Sequence, residues 1–182
     1  MNSLNHSKDL YNVVVENFHE ILKLQRFKKG DIVHSEGKIC HNLYFVRLGI
    51  LRAYYFKEDK DITAHFAFQK ESITAPDAFI LNKPSKYSIE ALEDSEVFSV
   101  NNIELENYLD QNPDLERLAR KFTQAIYLEL LERLEGLVFL SAKERYEALL
   151  IRNSQLPLNV NLGHIASYLG ITQETLSRIR AQ

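Results

Sequence analysis

The chain has 182 residues, of which 45% are hydrophobic and 26% charged, a composition typical of a globular protein with one large domain or two small ones. No apolar run approaches the ~20 residues of a transmembrane helix, and the polar start lacks the apolar stretch of a signal peptide, so we expect a cytoplasmic protein without membrane contact. Cys40 is the single cysteine, which excludes an intramolecular disulfide and a cysteine-ligated iron–sulfur cluster.

The net charge of −3 is unevenly distributed along the chain. Residues 1–110 carry 13 Lys/Arg against 17 Asp/Glu, whereas residues 141–182 carry 5 against 3. The C-terminal end is therefore the only net basic part. A small basic module on an acidic body is compatible with DNA binding but does not establish it.

The first half of the chain combines a helical start with a β-rich body. Residues 1–25 are predicted to be helical because apolar side chains recur there at helical spacing, namely Leu10, Val13, Val14, Phe18, Ile21 and Leu22. From Phe27 to Asn101 the pattern changes to short β-type runs separated by polar or glycine-containing turns. At least seven such runs predict a double-sheet jelly roll.

A long helix is predicted to begin at Asn112-Pro113 and to run to Leu140, since proline suits the first turn of a helix. It carries two apolar stripes: Leu118, Phe122, Ala125 and Ile126 form one, and Tyr127, Leu131, Leu134 and Val138 form the other. Two stripes need two partners. The jelly roll and a second copy of the helix across a two-fold axis would satisfy both, and a helix enclosed within one monomer is the alternative.

Ser141-Ala-Lys-Glu144 matches a capping box, so a new helix is expected from here to about Ile151, followed by a short extended link at residues 156–160. The break near Leu140 is the predicted hinge. The domain boundaries that follow are 1–110 for an N-terminal helix and jelly roll, 111–140 for the long helix, and 141–182 for a DNA-binding module.

Residues 162–180 match a helix-turn-helix. Ala166 is small where two helices cross, and Gly170 can adopt the positive φ that ends a helix. Leu176 and Ile179 give the second helix one apolar face. The opposite face carries residue types that contact bases and phosphates: Gln173, Glu174, Ser177, Arg178 and Arg180.

The order of jelly roll, long helix and helix-turn-helix resembles the cyclic-AMP receptor protein (Crp/Fnr) family of bacterial regulators. The resemblance lies in Phe27-Lys-Lys-Gly-Asp31, Glu36-Gly37, Leu43-Tyr-Phe-Val46 with Gly49, Ala91-Leu-Glu-Asp94 and, most specifically, Ile165–Arg178. It implies an α+β fold and a homodimer that binds two-fold-symmetric DNA through a pair of recognition helices. It also implies RNA polymerase and a small-molecule effector as further partners, and we expect no cofactor.

Carried over by position, the resemblance places Gln173, Glu174 and Arg178 at the base-contacting positions of the recognition helix. Arg178 suits guanine, Glu174 suits the cytosine amino group, and Gln173 suits adenine. Thr172 is the predicted N-cap, whose helix end would hold a phosphate. Family members often have arginine where Gln173 stands, so we expect a different preferred sequence.

The effector pocket departs from the family pattern. Cyclic-nucleotide binders of the family hold the ribose and phosphate with a Gly-Glu pair and an Arg-Ser/Thr pair. A gapless count back from Ala91 places Ala75-Pro76 at the position of the first pair and Ser85-Lys86 at that of the second. Pro76 stands where the family has glutamate, with Asp77 next to it. Ser85 stands where the family has arginine, and the neighbouring Lys86 lacks the planar guanidinium that binds phosphate. The pocket, which also takes in Tyr87, Leu130 and Leu131, is therefore predicted not to bind cyclic AMP and instead to hold an apolar or weakly polar ligand, or none.

Two rival interpretations remain. A cupin-type metalloenzyme would use the residues His34, Glu36, His41 and His65, but their spacing does not match the cupin pattern, so we expect no metal and no enzyme. The other rival is a ligand-sensing or interaction module that has lost DNA binding. The family's β-hairpin wing does not follow Arg180, which predicts weak DNA affinity because phosphate contacts supply most of the binding.

Overall fold

The computed structural model describes residues 6–181. The helices are α1 (His6–Asn17), α2 (Pro76–Leu81), α3 (Asn102–Gln111), α4 (Pro113–Phe139), α5 (Ala142–Arg152), α6 (Leu156–Asn159), α7 (Leu162–Leu169) and α8 (Gln173–Arg180). The strands are β1 (Lys23–Phe27), β2 (Ile32–His34), β3 (Asn42–Leu48), β4 (Leu51–Lys57), β5 (Lys60–Ala67), β6 (Ser72–Ile73), β7 (Ser88–Ala91) and β8 (Ser95–Asn101). None of the described helices is long and apolar enough to span a membrane.

The strands form two four-stranded antiparallel sheets, with orders β1-β8-β3-β6 and β2-β7-β4-β5, and confirm the predicted jelly roll. Gly49 joins β3 to β4 with φ +96°. A Cβ at this position would lie 2.8 Å from Cα of Ser95, so both the backbone angle and the packing require glycine.

Alternation along the strands gives each sheet two covered faces. In β3, Tyr44 and Val46 lie in the core between the sheets, whereas Phe45 packs on the other side with α1 and α4. In β5, Ala67 belongs to the core between the sheets and Phe66 packs against the C-terminal helices. The helix-turn-helix region therefore rests directly on the outer face of the second sheet.

Two local predictions were wrong. The helix expected over residues 1–25 ends at Asn17, and Lys23–Phe27 is a strand paired with β8; residues 1–5 lie outside the described residues. The link at residues 156–160 is not extended, because Leu156–Asn159 forms one helical turn. Its Pro157 sits in the first turn, where the missing N–H costs no helical hydrogen bond.

The long helix is present as α4, 27 residues in length, or about 40 Å. Phe122 and Ala125 are buried, with Leu118 and Ile126 packed beside them. The second predicted stripe is exposed in this chain: the exposed fractions are 65% for Tyr127, 58% for Leu134 and 67% for Val138.

Leu140 adopts an extended conformation after α4, and the predicted capping box begins α5 immediately afterwards. The hydroxyl of Ser141 accepts from the backbone N–H of Glu144 at 3.3 Å, and the Glu144 carboxylate accepts from the backbone N–H of Ser141 at 2.8 Å. Two of the orphan backbone donors at this helix start are thereby satisfied.

Candidate nucleic-acid interface and ligand pocket

Two short helices joined by a tight turn form the candidate nucleic-acid interface. The Asn161 side chain caps α7 by accepting from the backbone N–H of Gly163 at 2.8 Å. The helix ends at Gly170, which has the predicted positive φ, +69°. The predicted N-cap Thr172 then accepts from the backbone N–H of Thr175 at 3.2 Å and starts α8.

The second helix of the motif, α8, has one buried and one exposed face. Leu176 is fully buried and Ile179 packs beside it against α7 and α5. The exposed face, called the polar face of α8 below, carries all five predicted side chains: Gln173, Glu174, Ser177, Arg178 and Arg180. A rigid helix thus presents donors and acceptors on one side.

The charges on this face are defined by local hydrogen bonds. Bonds from its own backbone N–H and from the Thr172 hydroxyl hold the pKa of Glu174 below its usual value, so the carboxylate is ionised at neutral pH. Arg178 donates to the Thr175 hydroxyl at 3.3 Å. An ionised acceptor and a guanidinium donor therefore stand one helical turn apart.

A buried arginine connects this module to the jelly roll, and the sequence did not indicate it. Arg52 of β4 is 2% exposed and donates two hydrogen bonds to Asp61, at 2.6 and 2.8 Å, and one to Glu90 at 2.6 Å. It also lies 2.6 Å from Nδ1 of His164 in α7. Because guanidinium only donates, His164 must accept at Nδ1, as a neutral imidazole.

Further polar contacts join the same surfaces. The Ser167 hydroxyl of α7 accepts from the backbone N–H of Thr63 in β5 at 2.9 Å. Arg152 of α5 donates to Glu71 at 2.7 Å. Burial alone would raise the pKa of Glu71, but Arg152 and Lys8 hold it below its usual value. Polar contacts therefore join the C-terminal module to the jelly roll at several separate points.

The residues predicted for the effector pocket come together only in part. Pro76 begins α2, with Ala75 buried before it. The Asp77 carboxylate accepts from the Ser85 hydroxyl at 2.7 Å and from the backbone N–H of Lys86 at 3.2 Å. Partial burial raises the pKa of Asp77, but these hydrogen bonds outweigh it and keep the pKa below its usual value.

A cavity of about 510 Å³ lies beside this loop, between the jelly roll, α4 and the C-terminal helices. Of the predicted pocket residues, Pro76, Tyr87 and Leu130 line it. The others do not: Ala75, Asp77, Ser85, Lys86 and Leu131. In α4 the wall continues from Leu130 with Arg133 and Leu137 instead, residues that periodicity alone did not select.

The cavity wall includes His65. Burial and the nearby Arg152 lower the pKa of His65 to about 3, so its imidazole is neutral at physiological pH. Among residues 6–181 no cluster of three or more His, Cys, Asp or Glu side chains has the arrangement of a metal site. The four residues weighed for a cupin-type metal centre do not form one in the described chain.

The cyclic nucleotide-binding domain family matches residues 24–112. Among solved structures, FixK2 from Bradyrhizobium japonicum has a TM-score of 0.71 at 22% identity, covering 89% of this chain and 84% of its own. The c-di-GMP responsive global regulator CLP from Xanthomonas campestris has a TM-score of 0.69 at 18% identity, covering 93% and 90%. A CRP/FNR-family transcriptional regulator from Thermus thermophilus has a TM-score of 0.66 at 20% identity, covering 87% of this chain and 84% of its own. No curated protein matches the sequence.

Proposed function

We propose that the chain is a homodimeric, sequence-specific DNA-binding transcription regulator that cyclic AMP does not control. The match of residues 24–112 to the cyclic nucleotide-binding domain family and the fold shared with Crp/Fnr regulators support this proposal. The observation that carries the proposal is the polar face of α8. Five side chains suited to bases and phosphates are exposed together on a helix whose other face is anchored by the buried Leu176.

Pairing of two chains follows from the exposed stripe on α4. Tyr127, Leu131, Leu134 and Val138 are separated by four, three and four residues, the spacing of a two-helix seam, and all four are exposed in the single chain. A parallel pair buries this stripe and sets the two α8 helices about 34 Å apart, one turn of DNA. We expect the dimer to work in the cytoplasm with RNA polymerase as a partner, and without catalytic activity.

Independence from cyclic AMP is supported by Asp77. In the family's nucleotide binders the Arg-Ser/Thr pair holds the anionic phosphate. Here the carboxylate of Asp77 accepts from Ser85 and from the Lys86 backbone. A phosphate would meet a fixed negative charge and occupied donors, so binding is unfavourable.

Selection of random duplex DNA by the purified full-length chain, followed by a salt titration on the selected site, tests the function. We expect a two-fold-symmetric site whose affinity falls with salt concentration. Arg178→Ala should weaken binding by roughly 1–3 kcal/mol and relax the preference at one base pair. Lys57→Ala removes one positive charge from an exposed hairpin of the jelly roll and should leave binding unchanged.

A selection without an enriched site, or equal effects of Arg178→Ala and Lys57→Ala, would contradict the proposal. It would favour the rival interpretation, a ligand-sensing or interaction module without DNA binding.

A further inference from the structure

The cavity of about 510 Å³ lies where three parts of the chain meet. One wall comes from the jelly roll, including Ala53, His65 and Ile73; a second comes from α4; a third comes from Leu149 and Leu169 of the C-terminal module. Its volume is within the range of small-molecule sites, and most of its walls are apolar. A ligand in this cavity would contact the jelly roll, α4 and the C-terminal module at once.

The charged groups around the cavity balance. Three arginines and three carboxylates lie on or beside its walls: Arg133, Arg145, Arg152, Glu71, Glu129 and Glu132. Each arginine already has a partner. Arg152 pairs with Glu71 at 2.7 Å, Arg145 donates to the backbone carbonyl of Leu169 at 3.1 Å, and Arg133 stacks on an aromatic ring at 4.2 Å. Because the three positive and three negative charges cancel, an ionic ligand would meet walls of no net charge and would lose its hydration.

The cavity wall also has uncharged side chains that can form hydrogen bonds with a ligand. The His65 imidazole and the hydroxyls of Ser72 and Tyr87 line the jelly-roll wall. Such a small number of hydrogen-bonding groups in an apolar wall fixes the orientation of a ligand without demanding charge. The site therefore differs in chemistry from one built around a phosphate.

The geometry points to a binding site for an uncharged, mostly apolar small molecule with one or two hydrogen-bonding groups, enclosed between the jelly roll, α4 and the C-terminal module. This inference rests on the proposed function in one respect: it identifies the chemical class of the effector. Binding itself does not require that the chain bind DNA.

Two fluorescent probes with the same aromatic body test the site: uncharged N-phenyl-1-naphthylamine and its sulfonated analogue 1-anilinonaphthalene-8-sulfonate. We expect saturable binding of one uncharged probe per full-length chain. The sulfonate should bind at least about tenfold more weakly. Gly136→Phe places a ring in the cavity, since a Cβ at Gly136 meets only Leu140 within 4 Å. This variant should lose at least about tenfold in affinity, whereas Gly136→Ala should keep it.

Ala148→Leu fills the cavity from the facing wall in α5 and guards against a folding defect in the first variant, with thermal unfolding measured for each. Undiminished probe binding in both filled variants would place the probe elsewhere and overturn the inference. So would tighter binding of the sulfonate, or no saturable binding. If the uncharged probe binds as expected but no DNA site is selected, the proposed function fails and the ligand site stands.

Discussion

The guanidinium of Arg52 in β4 and the imidazole of His164 in α7 lie 2.6 Å apart, although 112 residues separate them in the chain. This contact joins the centre of the second sheet to the first helix of the helix-turn-helix motif. Asp61 and Glu90 neutralise the buried arginine from the neighbouring strands. This cluster of charges is thus one of the contacts that set the position of the module on the jelly roll.

Arg52→Ala should destabilise the chain by about 3 kcal/mol, because it leaves two partly buried carboxylates without their cation. Equilibrium urea unfolding measures the change. Arg47→Ala is the matched control, since Arg47 pairs with Glu96 but has a side chain 53% exposed. Its loss should be less than about 1 kcal/mol. Equal losses in the two variants would mean that the cluster does not stabilise the fold.

Acidification should loosen the module. Burial and the adjacent Arg52 lower the pKa of His164, against the opposing effect of Asp61 and Glu90. The docked state therefore binds fewer protons than the released one, and its stability falls as the pH drops below the ordinary histidine pKa of about 6.5. Hydrogen exchange of the α7 amides between pH 7.5 and 5.5 should report this loss.

His164→Gln isolates this contribution, because His65 and His34 also have lowered pKa values and add to the acid sensitivity of the native chain. Exchange in α7 should depend less on pH in the variant than in the native chain. The same pH dependence in both would assign the effect to the other histidines.

Gly49→Ala should lower the stability of the jelly roll by about 2 kcal/mol or more, from strain at φ +96° and from the clash with Ser95. Gly30→Ala separates the two causes, because Gly30 has φ +88° but no atom within 4 Å of an added Cβ. Thermal unfolding should show a larger loss for Gly49→Ala. Equal losses would leave backbone strain as the whole effect.

Leu134→Glu should convert the proposed homodimer to a monomer. Leu134 is 58% exposed in the single chain, and a charge at this position would be buried in the paired helices. Sedimentation equilibrium gives the molecular mass directly. Gln124→Glu adds the same charge at an exposed position of α4 outside the stripe, and it should remain dimeric. A monomeric native chain would contradict pairing through α4.

Cyclic AMP at millimolar concentration should leave the melting temperature of the native chain unchanged, because a ligand that does not bind the folded state cannot stabilise it. The uncharged naphthylamine probe in the same assay should raise the melting temperature. Stabilisation by cyclic AMP would show that Asp77 does not close the nucleotide site.

Local chemistry made much of the motif predictable. Gly170, Thr172 and the Ser141 capping box are short-range signals, and the structure has all three. The strand at Lys23–Phe27 was missed because it directly follows the helical apolar spacing of Ile21 and Leu22. The helix at Leu156–Asn159 was missed because four residues are too few to show a helical period.

The cluster around Arg52 had no sequence signal at all. A charged residue inside a strand-like run is indistinguishable from a solvent-facing one until its partners are known. Those partners come from β5, β7 and α7, and only the fold brings them together. The same holds for the cavity wall, where His65 and Arg133 meet residues of α5 and α7.

Strand β5 contacts both the C-terminal module and the cavity, because a β-bulge at Ala64 interrupts its alternation and turns His65 to the opposite face from Thr63. Asp61 and Thr63 hold Arg52 and Ser167 on the module side, while Ala64 and His65 line the cavity. These contacts fall within five consecutive residues, a stretch of about 13 Å. A shift of this one strand would therefore move the wall of the proposed ligand site and the docking surface of the C-terminal module together, without an intervening element.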